Sequence, residues 1–169
     1  ICTTFRLAVG RVSFVEVAKL RAARLLAAKV LAAHGVDEEI EMRIHAVSSR
    51  QTMSQCAPHT NMLRGTEQTF AALLANVNVV TTSCFDEALG QSSELARRAA
   101  RNVAIILQDE AHLMQQVDPT AGSYWVEENT SRLVDEGYEF MQQIEGRGSM
   151  PGVLLEGWLR EQIGDTYAA

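Results

Sequence analysis

The segment "IHAVSSRQTMSQ" (residues 44–55) begins as a strand and ends as a polar loop. Ile44 and Ala46 alternate with His45, and side chains that carry hydroxyls, amides and one guanidinium, that of Arg50, follow. A polar loop that opens directly from a buried strand is where α/β enzymes place their functional groups. The segment therefore predicts an α/β fold with a candidate site at the carboxyl end of this strand.

Strands and helices alternate on both sides of this segment. The change from period-two to period-three-and-four spacing of apolar residues marks each transition. The predicted order is a strand at 3–10, a helix from Ser13 to Gly35, a strand at 40–47, a helix from Pro58 to 76, a strand at 77–85 and a helix at 92–114. Ser13 is the expected N-cap of the first helix and Gly35 its C′ residue, and Ser92 or Ser93 is expected to cap the third. The strand at 77–85 is apolar enough to be buried on both faces.

A turn-rich connector, "VDPTAGSYW" (117–125), separates this alternating part from a helical tail. Two helices are predicted in the tail, near 125–146 and 150–163. Tyr124 and Trp125 are expected to pin the tail through their large apolar area. We therefore divide the chain into residues 1–122, a partial (β/α) barrel, and residues 123–169, a C-terminal helical extension.

The alternating order predicts a parallel sheet with right-handed crossovers. Three parallel strands leave two unpaired edges, which a complete domain rarely tolerates. The fold class expected is therefore α/β, the last three βα units of a TIM (β/α)8-type barrel plus C-terminal helices, incomplete as a barrel on its own. We expect association through the open edges, and hence an oligomer. The alternative is a free-standing small α/β domain with rearranged edges.

Composition excludes several classes of function. The 169 residues carry a formal net charge of -6, with acidic and basic residues interspersed, which disfavours sequence-independent binding of nucleic acid. No apolar run reaches the length of about 18 residues that a membrane span needs. Three cysteines, an odd number without paired spacing, predict reduced thiols and a cytoplasmic location. No metal site is expected, since Cys56 and His59 have C-x-x-H spacing without a second ligand pair.

The start of the chain lacks a signal-peptide pattern and a Met, so we expect it to be part of a longer protein.

Five segments in one order resemble the acyl-CoA mutases that use adenosylcobalamin, the methylmalonyl-CoA mutase family. They are "VEVAKLRAARLL" (15–26), "TNMLRGTEQTFAALL" (60–74), "FDEAL" (85–89), "ARRAARNVAIILQDEAH" (96–112) and "VDPTAGSYWVE" (117–127). The resemblance implies a barrel whose axial channel takes the pantetheine arm of an acyl-CoA substrate, with cobalamin over the carboxyl ends of the strands. It also implies a radical rearrangement of the carbon skeleton, in which most of the reactivity belongs to the cofactor.

The resemblance assigns site residues one by one. His45 falls where the family has a histidine that faces the substrate and cofactor cavity, and Glu87 where a glutamate hydrogen-bonds the adenosyl ribose. Three positions depart from the family's catalytic subunits. Val47 and Asn78 replace glutamines, and Ser83 replaces an asparagine that shares the ribose contact. Each lost amide costs roughly 1–3 kcal/mol where its partner stays buried.

Two functions follow from these matches and departures. The first is a portion of an isomerase of the methylmalonyl-CoA to succinyl-CoA type. The second is a non-catalytic, mutase-like subunit that stabilises an active partner, which Val47 and Ser83 favour. The cobalamin-binding signature Asp-x-His-x-x-Gly is absent from the sequence, so this chain alone is expected neither to hold adenosylcobalamin nor to be active. The expected partners are the rest of the barrel with a cobalamin domain, or a mutase partner subunit.

Overall fold

The computed structural model describes residues 4–36 and 42–168. Within these ranges three strands, β1 (Thr4–Val9), β2 (Arg43–Ser48) and β3 (Val79–Thr81), form one parallel sheet in the order β1-β2-β3. Phe5 pairs with Ile44, and Ala46 pairs with Val80. The predicted α/β order and parallel sheet are confirmed. Residue 3 and residues 40 and 41 of the predicted strands, and Cys2, lie outside the described residues.

In the same described ranges six helices accompany the sheet: α1 (Ser13–Ala33), α2 (Asn61–Leu74), α3 (Glu94–Ile105), α4 (Tyr124–Gly146), α5 (Ser149–Glu156) and α6 (Trp158–Ala168). A π-helical turn at Ile106–Glu110 extends α3. Short 3₁₀ turns lie at Arg50–Thr52, Pro58–Thr60, Glu87–Leu89 and Leu113–Gln115. No helix of the described part of the chain is long and apolar enough to cross a membrane.

The two faces of the sheet differ. Side chains alternate between faces along a strand, so Val9, Ile44 and Ala46 point to one face, where they are buried with residues of α1 and α2. The opposite face carries Arg6, Ala8, His45, Val47, Val79 and Thr81, none of which is buried. The core therefore lies on one side of the sheet only.

The strand β3 is shorter than predicted. It spans three residues instead of nine, and Val79 is 50% exposed, so the expectation of burial on both faces is wrong. In the sheet β3 pairs only with β2, and helices cover only one face. Before the strand, the Asn78 N–H donates to Ile44 O at 3.1 Å, and Asn78 Oδ1 accepts from Ile44 N at 2.9 Å. A side-chain amide thus continues the pairing where the strand has not yet begun.

The helix ends test the predicted caps. Gly35 has a φ of 70° and donates to Ala32 O, while Val36 donates to Leu31 O, which is the Schellman pattern expected of a C′ glycine. Ser93 Oγ accepts from Ala96 N at 3.2 Å, which confirms that cap. Ser13 is not an N-cap. The helix begins at Ser13, and its hydroxyl instead donates to the Glu67 carboxylate on α2.

The helical tail has three helices instead of two. Gly157, with a φ of 78°, ends α5, and α6 begins at the next residue. Tyr124 is 81% exposed, so it does not pin the tail. Trp125 is half exposed and meets Phe14 edge-on at 6.2 Å. The buried anchor of α4 on α1 is Val126.

An arginine on α1 fixes the connector that precedes α4. Arg21 donates to Asp118 Oδ2 at 2.8 Å, to Thr120 Oγ1 at 3.0 Å and to Glu127 Oε1 at 2.8 Å. These three bonds join α1, the connector and the first turn of α4.

Candidate functional site

The three strands end at one edge of the sheet, and an open cleft of about 980 Å³ lies there. Two loops form its walls: the β2–α2 loop (residues 49–60) and the β3–α3 loop (residues 82–93). The lining residues are Arg6, Ala8, Val47, Ser48, Ser49, Arg50, Gln51, Thr81, Thr82, Ser83, Cys84, Glu87, Ser92 and Arg97. The carboxyl edge of a parallel sheet is the usual position of an α/β active site.

The β2–α2 loop is held against the sheet and against α2. Ser49 N donates to Val9 O at 2.8 Å, which continues the pairing of β1 with β2 by one residue. The Thr52 hydroxyl donates to Ser49 O and accepts from Gln68 Nε2 at 2.7 Å. These bonds fix the 3₁₀ turn that carries Arg50.

The β3–α3 loop packs closely on α2. A Cβ added at Gly65 would lie 3.3 Å from Thr82 Cγ2 and 3.5 Å from Ser83 O, so the helix approaches the loop as only glycine allows without adjustment. The ring of Phe85 is buried and stacks on His59 at 5.2 Å between centroids. Ser93 N donates to Asp86 Oδ2 at 2.9 Å, and this bond holds the pKa of Asp86 below its ordinary value.

Glu87 and Arg50 join the two walls of the cleft. The Arg50 guanidinium forms an ion pair with Glu87 Oε1. The Glu87 side chain is mostly buried, with 22% exposed, whereas that of Arg50 is 80% exposed. Glu87 therefore presents a carboxylate to the cleft beside a cation that solvent can reach easily.

His45 lies on the uncovered face of the sheet. Its Nε2 forms a hydrogen bond of 2.8 Å with Thr81 Oγ1 of β3, and it is in register with Arg6 of β1. Val47 lies two residues on, on the same face, and lines the cleft. His45 and Val47 thus follow one another along β2 toward the cleft.

The two remaining predicted residues are placed differently. Ser83 lines the cleft, but it is almost fully buried and its hydroxyl points to Ser48 O at 3.4 Å. Asn78 precedes β3, at the amino end of the sheet, with its side-chain oxygen on the backbone of Ile44. The structure therefore brings Val47, Ser83 and Glu87 to the cleft and His45 to the adjoining face, and it leaves Asn78 at the other end.

The cleft also brings together charges that are scattered along the sequence. Arg6, Arg50 and Arg97 line it, against the single carboxylate of Glu87. The three arginines come from β1, the β2–α2 loop and α3, so no local pattern unites them. Their surplus of positive charge suits an anionic ligand. Among the described residues no group of three or more His, Cys, Asp and Glu side chains is arranged to hold a metal ion.

Comparison with known proteins gives one consistent family. The family model for methylmalonyl-CoA mutase matches residues 3–169. The methylmalonyl-CoA mutase small subunit of Streptomyces virginiae is 38% identical over 164 residues, which are 97% of this chain and 27% of that protein. The methylmalonyl-CoA mutase of Escherichia coli (strain K12) is 34% identical over 167 residues, 98% of this chain and 23% of that protein. The probable small subunit of Mycobacterium tuberculosis (strain CDC 1551 / Oshkosh) is 37% identical over 170 residues, 98% of this chain and 27% of that protein.

The similarity covers nearly the whole chain, whereas the chain spans about a quarter of the length of these relatives. The predicted resemblance is confirmed by both the family model and the relatives. The chain belongs to the methylmalonyl-CoA mutase family.

Proposed function

We propose that this chain forms the last three βα units of the substrate barrel of an adenosylcobalamin-dependent acyl-CoA mutase. The complete protein would rearrange a short acyl-CoA of the methylmalonyl-CoA to succinyl-CoA type. The observation that carries the proposal is the cleft at the carboxyl edge of the sheet, where Glu87 and the arginines meet beside His45. Family membership supports the reaction class, and the cleft supports the location of the proposed site within this chain.

The uncovered sheet face supports the barrel. In a closed (β/α) barrel the strands turn one face to the helices and the other to the barrel interior. Here α1 and α2 cover one face, and the other carries Arg6, His45 and Val79, which are not buried. Five further strands would close the sheet and enclose that face. Residues 1–122 would then be barrel and residues 123–169 an outer helical extension whose α4 packs on α1.

The charge of the cleft supports an acyl-CoA substrate. A dicarboxylic acyl-CoA carries a free carboxylate and several phosphates, and guanidinium groups bind both through paired hydrogen bonds. One nitrogen of the Arg50 guanidinium is paired with Glu87, yet the Arg50 side chain remains largely exposed. We expect it, together with Arg6 and Arg97, to attract the anionic substrate to this edge.

Glu87 offers a fitting contact for the adenosyl group. A ribose presents hydroxyl donors, and the cleft-facing carboxylate of Glu87 is an acceptor suited to them. The Ser83 hydroxyl is directed to Ser48 O and Val47 has no polar atom, so neither replaces an amide. Adenosylcobalamin, when bound, supplies the radical chemistry that starts the rearrangement.

This chain's own part in the reaction is then orientation and shielding. His45, held by Thr81, would face the reacting centre from the strand and keep water from it. Glu87 would hold the ribose. The walls of the cleft would exclude solvent once the rest of the barrel and the cobalamin domain are in place.

A second function is favoured by specific observations. Val47 offers only an apolar surface to the cleft and the Ser83 hydroxyl is bonded to Ser48 O, so two of the expected polar contacts are lost. Several similar relatives are named small subunits. In this alternative the chain belongs to a non-catalytic subunit that stabilises an active partner.

Turnover of the full-length protein distinguishes the two functions. The full-length protein, with its partner subunit, is assayed for conversion of methylmalonyl-CoA to succinyl-CoA with adenosylcobalamin, as wild type and as His45→Ala. The first function predicts a loss of activity of at least about a hundredfold in the variant, as for other positioned groups at a reacting centre. Full activity in the variant complex would favour the non-catalytic subunit, and no turnover by the wild-type complex would refute the mutase activity.

A further inference from the structure

One fully buried amide bonds to both walls of the cleft. Asn61, the first residue of α2, is 0% exposed. Its Nδ2 donates to Ser54 O and to Phe85 O, both at 2.9 Å. Its Oδ1 accepts from Ser54 N at 3.0 Å and from Arg64 Nη1 at 2.8 Å. Both hydrogens and both lone pairs of the amide are therefore used.

The partners of Asn61 belong to different walls. Ser54 lies in the β2–α2 loop, four residues after Arg50, and Phe85 lies in the β3–α3 loop, two residues before Glu87. We infer that Asn61 is a positioning residue. It sets the separation of the two loops and so places Arg50 and Glu87 close enough to form their ion pair across the cleft. The inference deepens the proposed function and rests on it for its consequence in ligand binding.

The residue type matters because of the pattern of donors and acceptors. Two carbonyl oxygens, one N–H and one guanidinium converge on this side chain. An aspartate of the same shape would keep the N–H and the guanidinium but would face the two carbonyls with negative charge. An alanine would remove all four hydrogen bonds and leave the buried Phe85 carbonyl unpaired, which is costly.

A second hydrogen bond between the loops is weaker. Gln55 Nε2 donates to Ala88 O at 3.0 Å, but Gln55 is exposed, so water can replace this bond. Asn61 is buried, and water has no equivalent access to it. Of these two hydrogen-bonded links, the buried one therefore does more to set the separation of the loops.

Loss of this tie would lower the fraction of molecules with a correctly formed cleft. Apparent affinity falls in proportion to that fraction, whereas chemistry in the correctly formed molecules is unchanged. The expected kinetic result is a KM for acyl-CoA raised by about tenfold with little change in kcat. If the substitution instead left some molecules permanently misfolded, fewer molecules would be active. The measured kcat would then fall while KM stayed unchanged.

The test uses the full-length protein with its partner subunit and compares wild type, Asn61→Asp, Asn61→Ala and Thr66→Ala. Thr66 is the matched control, because on the same helix its hydroxyl donates only to Met62 O within α2. Hydrogen exchange is followed by mass spectrometry in peptides that cover residues 50–56 and 84–89. In both Asn61 variants the two loops are expected to exchange faster together, by about tenfold or more, and in the control neither changes.

Acceleration in only one loop, or in neither, would overturn the inference, and so would a lower kcat at an unchanged KM. Should the Asn61 variants fail to fold, wild-type exchange is measured against denaturant concentration. Opening of both loops in one transition with one slope supports the inference, and separate transitions overturn it. Absence of turnover in the wild-type protein counts against the proposed function alone, because the exchange measurements need no ligand.

Discussion

The substitution Arg21→Met tests how the tail helix is held on the alternating part of the chain. Methionine keeps the length and the apolar contacts of the side chain and removes its charge and hydrogen bonds. The lost interactions are the two ion pairs of 2.8 Å, to Asp118 and Glu127, and the bond of 3.0 Å to Thr120.

The magnitude follows from the exposure of the partners. The carboxylates of Asp118 and Glu127 are 38% and 46% exposed, so each ion pair is screened and contributes about 0.5 kcal/mol. The Thr120 bond is largely buried and contributes about 1 kcal/mol. Together they amount to about 2 kcal/mol, which corresponds to about a thirtyfold larger population of the locally open form.

Hydrogen exchange of peptides that cover residues 117–130 in the full-length protein measures this population. Tyr124→Ala is the control, since the ring is 81% exposed and its removal is expected to change exchange less than about threefold. Equal acceleration in the two variants, or none in Arg21→Met, would show that the aromatic ring or another contact, and not Arg21, holds the tail.

Three further predictions concern the cleft. The Ser93 N–H lowers the pKa of Asp86 in the folded state, so the ionised Asp86 carboxylate stabilises the fold. This stabilisation is complete above the ordinary pKa of 3.8 and is lost as pH falls through the lower pKa of the folded state. Pepsin cleavage between residues 84 and 94 should therefore be faster in Asp86→Asn than in wild type at pH values above 3.8, and the difference should vanish in stronger acid; a difference that persists there would contradict this assignment. Gly65→Ala is expected to be nearly neutral, since a gain in helix propensity of about 1 kcal/mol offsets the tight contact with Thr82, whereas Gly65→Leu should lower the free energy of unfolding by about 2 kcal/mol or more in denaturant titration. Glu87→Gln should weaken binding of adenosylcobalamin to the full-length protein with its partner by about tenfold in equilibrium titration, while the exposed Glu94→Gln should not, and equal effects would point to net charge alone.

The sequence predicted those elements whose local pattern agrees with their tertiary surroundings. β1, β2 and the long helix α1 follow the spacing of their apolar residues, and Gly35 and Ser93 end and begin helices where their chemistry suits them. The same local reasoning was wrong for Ser13. Its hydroxyl finds a partner on α2, 54 residues away in sequence, and nothing near Ser13 signals that contact.

The remaining differences also have non-local causes. Apolar composition at 77–85 predicted a buried strand, but burial depends on how many strands and helices surround it, and β3 is an edge strand in the described sheet. Gly157, with its positive φ, ends α5 within a segment that was predicted to continue as one helix. In the candidate site, His45 and Glu87 were predicted through the resemblance. Asn61 and the grouping of Arg50 with Arg6 and Arg97 were not predicted, because the residues involved come from separate elements that only the fold brings together.

The ligand footprint on this chain is the direct test of whether the cleft binds the substrate and adenosylcobalamin. Hydrogen exchange of the full-length protein with its partner subunit is compared with and without adenosylcobalamin and methylmalonyl-CoA, in peptides that cover residues 45–52 and 81–89. Both segments are expected to exchange more slowly in the presence of the ligands, because His45, Arg50 and Glu87 line or adjoin the occupied cleft. Protection elsewhere in the protein, with both of these segments unchanged, would contradict it.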